Sequence, residues 1–583
     1  MKPPYTSPRL KGVLYALCWL PFLLVSPSKL LAGVSINIEG IKDPLKEQVE
    51  LYIGKPEVVS QTDLERAITH IESQTQKALQ ALGYYRPEID IKSRPDGDNW
   101  TIKATIIPGE PVTVAELNIQ LDGDAQHDKA FSKLLAELPL EVGSALNHGQ
   151  YESIKSSFQN LAMAHGYFDA RFLTTNVTVY PEQHSAHIRL HFDSGIRYRL
   201  GEVTFSQTPL HDRLVRRWMN FSPGTPYDAS LIGELHRKLT ASNYFSRVRV
   251  QPKRDKAKDY TIPVDVQLTA AKSHQLGFGV GFATDTGPRV TMSWERPYLN
   301  AQGHSISAET ALSFVQQNLS TQYKIPLESN PETDFLTLDA GIQHEDVEDI
   351  QSTLYTASIQ RQKLTKNHWK QNLFVRWLRE DFRTSEGDRN TTLYLPGFSY
   401  NLVRSSGGLS PQKGHRYGFE FQFADDALAS NIDLQYATFN TKRIHSLAAK
   451  HRLLWRFSAG ILHTSDFDRT PTSLRFYAGG DSSVRGFAYK SISPEDATGE
   501  KIGGLYRLIG SLEYDYRFAE KWRGAIFSDI GDAFNDDQSD PKHSLGMGIR
   551  WLSPVGPLRI DLAAGVSETD TPVRLHLSIG PEL

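Results

Sequence analysis

From Gln275 onward, apolar and polar residues alternate. Leu373, Val375 and Trp377 recur at every second position, Phe419, Phe421 and Phe423 are separated by Glu420 and Gln422, and Ile432, Leu434 and Tyr436 repeat the rhythm. Period two places one set of side chains on each face of an extended strand. Such runs start near 275, 289, 304, 318, 335, 352, 369, 391, 414, 432, 450, 505, 523, 544, 558 and 573, which predicts 16 strands across 274–583. Strands of about 10 residues joined by turns suit a bilayer-spanning barrel, and an even number closes an antiparallel one. One segment, His463 to Gly504, breaks the rhythm and contains RFYAGGDSSVRGF (Arg475 to Phe487). Loops of that length are usually functional.

The first half has helical periodicity instead. Ile154, Phe158 and Leu161 share one helix face, as do Leu231, Leu235 and Leu239. Three blocks of about 80 residues repeat. Each opens with a strand (VSINIEGI from Val34, AELNIQL from Ala115, GEVTFSQ from Gly201) and ends its helical part in ALGYYRPEI, AHGYFDARF or ASNYFSRVRV. Gly83, Gly166 and Asn243 hold the same place, and both residue types tolerate the left-handed helix C-cap. The aromatic pair after each cap is expected to pack back onto a sheet. The expected domains are 33–111, 112–195, 196–273 and a barrel over 274–583.

Residues 1–32 read as a secretory signal. Lys2, Arg9 and Lys11 precede a short apolar run, Gly12 to Val25, followed by small residues at Ser26, Ser28, Ala32 and Gly33. The single cysteine, Cys18, lies inside that run, so a processed chain has no disulfide, thiolate metal site or cysteine nucleophile. Mean hydropathy of -0.40 argues against a polytopic helical membrane protein but is compatible with a barrel, whose inward face is polar. A net charge of -3 gives no reason to expect nucleic acid as a partner.

The loop and the strands after it carry a resemblance. Val484-Arg485-Gly486-Phe487 after Gly479-Gly480 is similar to the (V/I)RG(F/Y) loop motif of the outer-membrane insertase superfamily that includes BamA, TamA and the two-partner secretion transporters. Phe527, Asp529 and Gly531 match its F-x-D-x-G strand motif, GSLEY (Gly510 to Tyr514) resembles its strand after the loop, and Gly546 to Ala563 resembles its penultimate hairpin. The repeats resemble its POTRA domains, and three of them, together with the ending IGPEL, resemble the TamA branch. The resemblance implies an outer-membrane barrel with periplasmic POTRA domains that helps insert or export other outer-membrane proteins, autotransporter-like clients among them. It implies as partners a TamB-like inner-membrane-anchored protein, unfolded clients and outer-membrane lipid. The alternative is a two-partner secretion transporter with one dedicated substrate; three repeats rather than two, and no plug-helix pattern, favour the first reading.

Arg485 in a lumen loop needs a carboxylate partner, and Asp529 or Glu513 on the following strands supplies it. Closure requires the first strand (Gln275 to Ala283) to pair with the last (Val573 to Ile579). Gly277, Gly279 and Gly281 offer no side chains for cross-strand packing, and Gly580-Pro581 ends the last strand, so pairing is expected to be short and weak. Gly277, Phe278 and Gly279 against Leu577, Ile579 and Gly580 are the expected lateral seam, with Phe278 opposite Leu577 or a register-shifted neighbour. No enzymatic constellation, cofactor or metal site is expected. GGDSSV lacks a nucleophile elbow, and HEDVE (His344 to Glu348), expected between strands, lacks the second His of a zinc-protease helix.

Overall fold

A computed structural model describes residues 34–579 apart from 57, 59, 97–98, 328–332, 348, 407, 409, 536–538 and 555. The expected signal segment, Gly580 and Pro581 lie outside the described residues. Two compact units divide the chain, 1–198 and 199–583.

The first unit holds two modules of one design. Strand Val34–Glu39 is followed by helices Leu45–Ile53 and Gln61–Ala81 and strands Glu88–Asp96 and Asn99–Ile107. Strand Thr113–Asp122 is followed by helices Lys129–Ala136 and His148–His165 and strands Arg171–Tyr180 and Ser185–Asp193. In each sheet the last strand is central, parallel to the first and antiparallel to the second. The second unit opens with a third copy: strand Arg199–Ser206, helix Ala229–Ala241, then strands Phe245–Pro252 and Thr261–Ala270.

Local chemistry explains the repeat. Each long helix starts on a side-chain cap: Ser60 accepts from Asp63 N–H, Asn147 from Gln150 N–H, and Asp228 from Ser230 N–H. Each ends at a residue with positive φ, Gly83 (93°), Gly166 (85°) and Asn243 (62°). The two rings of an aromatic pair do not share one destination. One ring packs at home, as Tyr167 does in the second core, but the other reaches forward. Tyr85 packs against the second module's core, its hydroxyl 2.5 Å from His148 Nε2. Tyr244 donates to Gly303 O at 2.6 Å, fastening the third module to the barrel. The first and second modules, and the third module and the barrel, are therefore joined by rings as well as linkers.

Sixteen antiparallel strands close the barrel, from Gln275–Ala283 to Val573–Ile579. Every strand starts within about four residues of its expected place, the largest gap being 391 against Gly387. HEDVE does not lie between strands: His344 to Val347 finish the strand Asp334–Val347. Side chains are inside-out relative to a soluble protein. Leu373 is 67% exposed and Glu380 is 0% exposed. The outer face is the apolar band a bilayer covers. The lumen is not polar throughout, however. Leu393, Leu395, Leu434 and Leu462 line it and pack against Leu474, Phe476, Val484 and Phe487 of the long loop. The loop folds into the barrel and brings its own apolar core, which period-two reading of single strands does not reveal.

Candidate functional site

The loop between strands His451–Thr464 and Tyr506–Ala519 carries Arg485 into the lumen. Its guanidinium is bidentate on Asp529, with Nε to Oδ2 at 2.7 Å and Nη2 to Oδ1 at 2.9 Å. Nη1 donates to Glu513 Oε2 at 2.7 Å and to Asp561 Oδ2 at 3.1 Å. The backbone N–H of Arg485 also donates to Asp529, at 3.1 Å. The planar group lies over the Phe527 ring, 3.3 Å from its centroid. Both expected partners, Asp529 and Glu513, are thus engaged by one side chain.

The strand motif explains this placement. Phe527, Asp529 and Gly531 alternate onto one face of strand Trp522–Phe534. Phe527 supplies the platform and Asp529 the charge. A Cβ at Gly531 would lie 3.0 Å from Val484 Cγ2, so glycine makes room for the loop. Gly486 has φ +95°, and a Cβ there would meet Gly565 N at 3.0 Å, so the loop can lie directly on strand Gly556–Gly565. Phe487 packs over Gly565.

Three members of the cluster escaped sequence reading. Arg550 bridges Glu513, at 2.9 Å, and Asp561. Arg456 donates to Ser483 O and approaches Asp529 at 3.5 Å. Three guanidiniums therefore face three carboxylates, Asp529, Glu513 and Asp561, and their formal charges balance. A buried charge needs such pairing. The legible signal was a charge on the lumen-facing phase of an alternating strand, as at Asp561 in RIDLA.

The seam is where expectation needs correcting. Among the described residues, the first and last strands pair through one residue pair, Ala283↔Ser578, whereas strand Lys370–Thr384 is in register with its next neighbour along its whole length. Leu577 lies against Thr284, not Phe278: Thr284 N–H donates to Leu577 O at 3.1 Å. Among the described residues, Gly277, Phe278 and Gly279 pair only with the second strand, and Ile579 only with strand Gly556–Gly565. The stagger of a tilted barrel sets this register, and strand ends alone do not reveal stagger. Val280 at 90% and Phe278 at 74% are exposed on this edge.

Asp425, Asp426 and Asp433 cluster in the open without a further ligand among the described residues.

Comparisons with known proteins agree with this geometry. The profile described as "POTRA domain TamA domain 1" matches residues 35–108, and "Surface antigen variable number repeat", a POTRA profile, matches 198–269. Outer membrane protein assembly factor BamA of Neisseria meningitidis is 22% identical over 558 residues, covering 82% of this chain and 67% of that protein. BamA of Nitratidesulfovibrio vulgaris is 24% identical over 370 residues, covering 60% of this chain and 46% of that protein. The chain thus spans between about half and two thirds of the length of these relatives. The crystal structure of Haemophilus ducreyi BamA lacking POTRA domains 1-3 superposes with a TM-score of 0.69 at 17% identity, covering 80% of this chain and 99% of that one. Over half of the chain, residues 263–582, matches the profile described as "Omp85 superfamily domain", so this 16-stranded barrel with its POTRA modules belongs to the Omp85 superfamily.

Proposed function

We propose that the protein sits in the bacterial outer membrane, with its POTRA modules in the periplasm, and inserts or translocates other outer-membrane proteins. It makes and breaks no covalent bonds. The observation that carries this reading is the seam, which among the described residues holds one residue pair in a barrel whose other ladders are long. Parting two strands joined by so few bonds costs little in ladder hydrogen bonds. The opened edges carry unpaired N–H and C=O groups that are costly in lipid until another strand pairs with them. An incoming client strand satisfies that need. The names of the BamA relatives, each an outer membrane protein assembly factor, support the same class of activity.

Within that class we assign the chain to the TamA type, acting on autotransporter-like clients with a TamB-like partner anchored in the inner membrane. Support comes from the TamA-type profile over 35–108 and from the presence of three POTRA-like sheets. The first module is assigned to partner contact. The test is reconstitution of the full chain in liposomes with an unfolded autotransporter-like barrel, scored by client folding. In parallel, the full chain and a version lacking 34–108 are isolated from membranes and their partners compared. Client folding at the empty-liposome rate refutes the insertion role. Unchanged recovery of the inner-membrane partner without 34–108 refutes the assignment of that module.

A further inference from the structure

The loop that carries Arg485 also reaches both strands of the seam. Besides the Ala283↔Ser578 pair and the bond from Thr284 N–H, Leu577 N–H donates to Thr284 Oγ1 at 3.0 Å, which joins them further. That hydroxyl spends its own proton on Asp481 Oδ1, at 2.9 Å, in the loop. The same oxygen accepts from His576 Nδ1 of the last strand at 2.5 Å. The other ring nitrogen, Nε2, accepts from Gly486 N–H at 2.9 Å, which places the ring proton on Nδ1. Asp481 N–H in turn donates to Asp285 Oδ2, beside Thr284, at 2.7 Å. Asp285, Asp481 and His576 have donor atoms within 4.8 Å of one another, but both imidazole nitrogens are already engaged within the protein. The arrangement is therefore a hydrogen-bonded clasp and not a metal centre.

We infer that Asp481, His576 and Thr284 form a latch that couples the seat of the lumen loop to closure of the seam. One carboxylate oxygen gathers the turn that ends the first strand, the last strand and the loop. Gly486, which orients His576, is the neighbour of Arg485, which Asp529 holds. Withdrawing the loop removes the acceptor shared by both strands, and parting the strands removes two of the loop's anchors. His576 and Asp481 are thus positioning residues for the seam. The inference rests on the proposed insertion role only in giving seam opening a purpose; the coupling itself is measured without a client.

The test places nitroxide labels at Val280→Cys and Leu575→Cys, both outward and exposed at 90% and 57%, in a full chain with Cys18→Ser. Pulsed electron-spin resonance reads the distance across the seam. Asp481→Ala and the near-isosteric Thr284→Val are each expected to raise the ratio of open to closed seam by about tenfold or more, the scale of a lost charge-assisted hydrogen bond. Thr284→Ser restores the closed seam because it restores the hydroxyl. Arg485→Ala, which frees the loop without touching the seam, opens it as well. Wild-type distances in Asp481→Ala and Thr284→Val, with barrels verified as folded by heat-modifiable mobility, overturn the latch. A closed seam in Arg485→Ala overturns the coupling. Client folding is scored on the same samples: an open seam with unchanged client folding overturns the insertion mechanism and leaves the latch standing.

Discussion

Replacing Arg485 by alanine removes one of three cations facing three carboxylates in the lumen. Glu513 and Asp561 keep Arg550. Asp529 suffers most, because it loses both guanidinium bonds and retains the backbone N–H of residue 485 at 3.1 Å, Ser511 Oγ at 2.6 Å and Arg456 at 3.5 Å. Asp529 is 0% exposed, so water does not replace the missing cation while the loop stays seated. Removing one partner of a buried pair costs about 3–5 kcal/mol. At about 1.36 kcal/mol per decade, that shifts the docking equilibrium of the loop by roughly two to four powers of ten. The barrel ladders do not depend on this side chain, so the barrel is expected to stay folded while the loop leaves. Tryptic cleavage after Arg475 and Lys490, both shielded in the seated loop, measures the change. Arg485→Lys is expected to fall between, because one ammonium cannot reproduce two parallel bonds to Asp529. Asp529→Ala added to Arg485→Ala should recover part of the loss, since no orphan carboxylate remains. Wild-type protease resistance in Arg485→Ala, or strictly additive effects in the double variant, would refute the reasoning.

Three further outcomes follow from other contacts. Tyr244→Phe leaves the Gly303 carbonyl without its hydroxyl donor, at a cost of about 1–3 kcal/mol, and should speed amide exchange in the Asn300 to His304 turn; unchanged exchange would remove Tyr244 as the fastener. Burial and then the neighbouring Asp481 carboxylate push Asp285 from 3.8 up to about 6, so the folded hairpin binds this proton more tightly than an unfolded chain does. Stability of the Ala283–Gly287 hairpin should therefore fall as pH rises through that window and level off above it; His576 and Asp481 face the same group, and Asp285→Asn, which should abolish this share of the dependence, isolates it. Cysteines at Ala283 and Ser578, the pair set by the register, should lock the seam, stop client folding and release it on reduction; full activity after quantitative cross-linking would exclude seam opening as the working step.

Alternation alone sufficed to number and place the barrel strands, because successive residues of a strand face lumen and lipid in turn and the two sides differ in polarity along most of each strand. Helix caps at Gly83, Gly166 and Asn243 likewise marked the repeats, since few residues accept a left-handed backbone. Arg485 and Asp529 were legible for a related reason: an arginine between glycines and a carboxylate on the lumen phase are each unstable alone. The sequence could not state register, which depends on the stagger of all the strands together, and so Leu577 faces Thr284 instead of Phe278. Nor could it join Asp481 to His576, or Arg550 to Glu513, which are 95 and 37 positions apart. Those contacts exist because a closed barrel turns the side chains of separate strands, and its long loop, toward one lumen, and only the folded lumen decides which charges meet there.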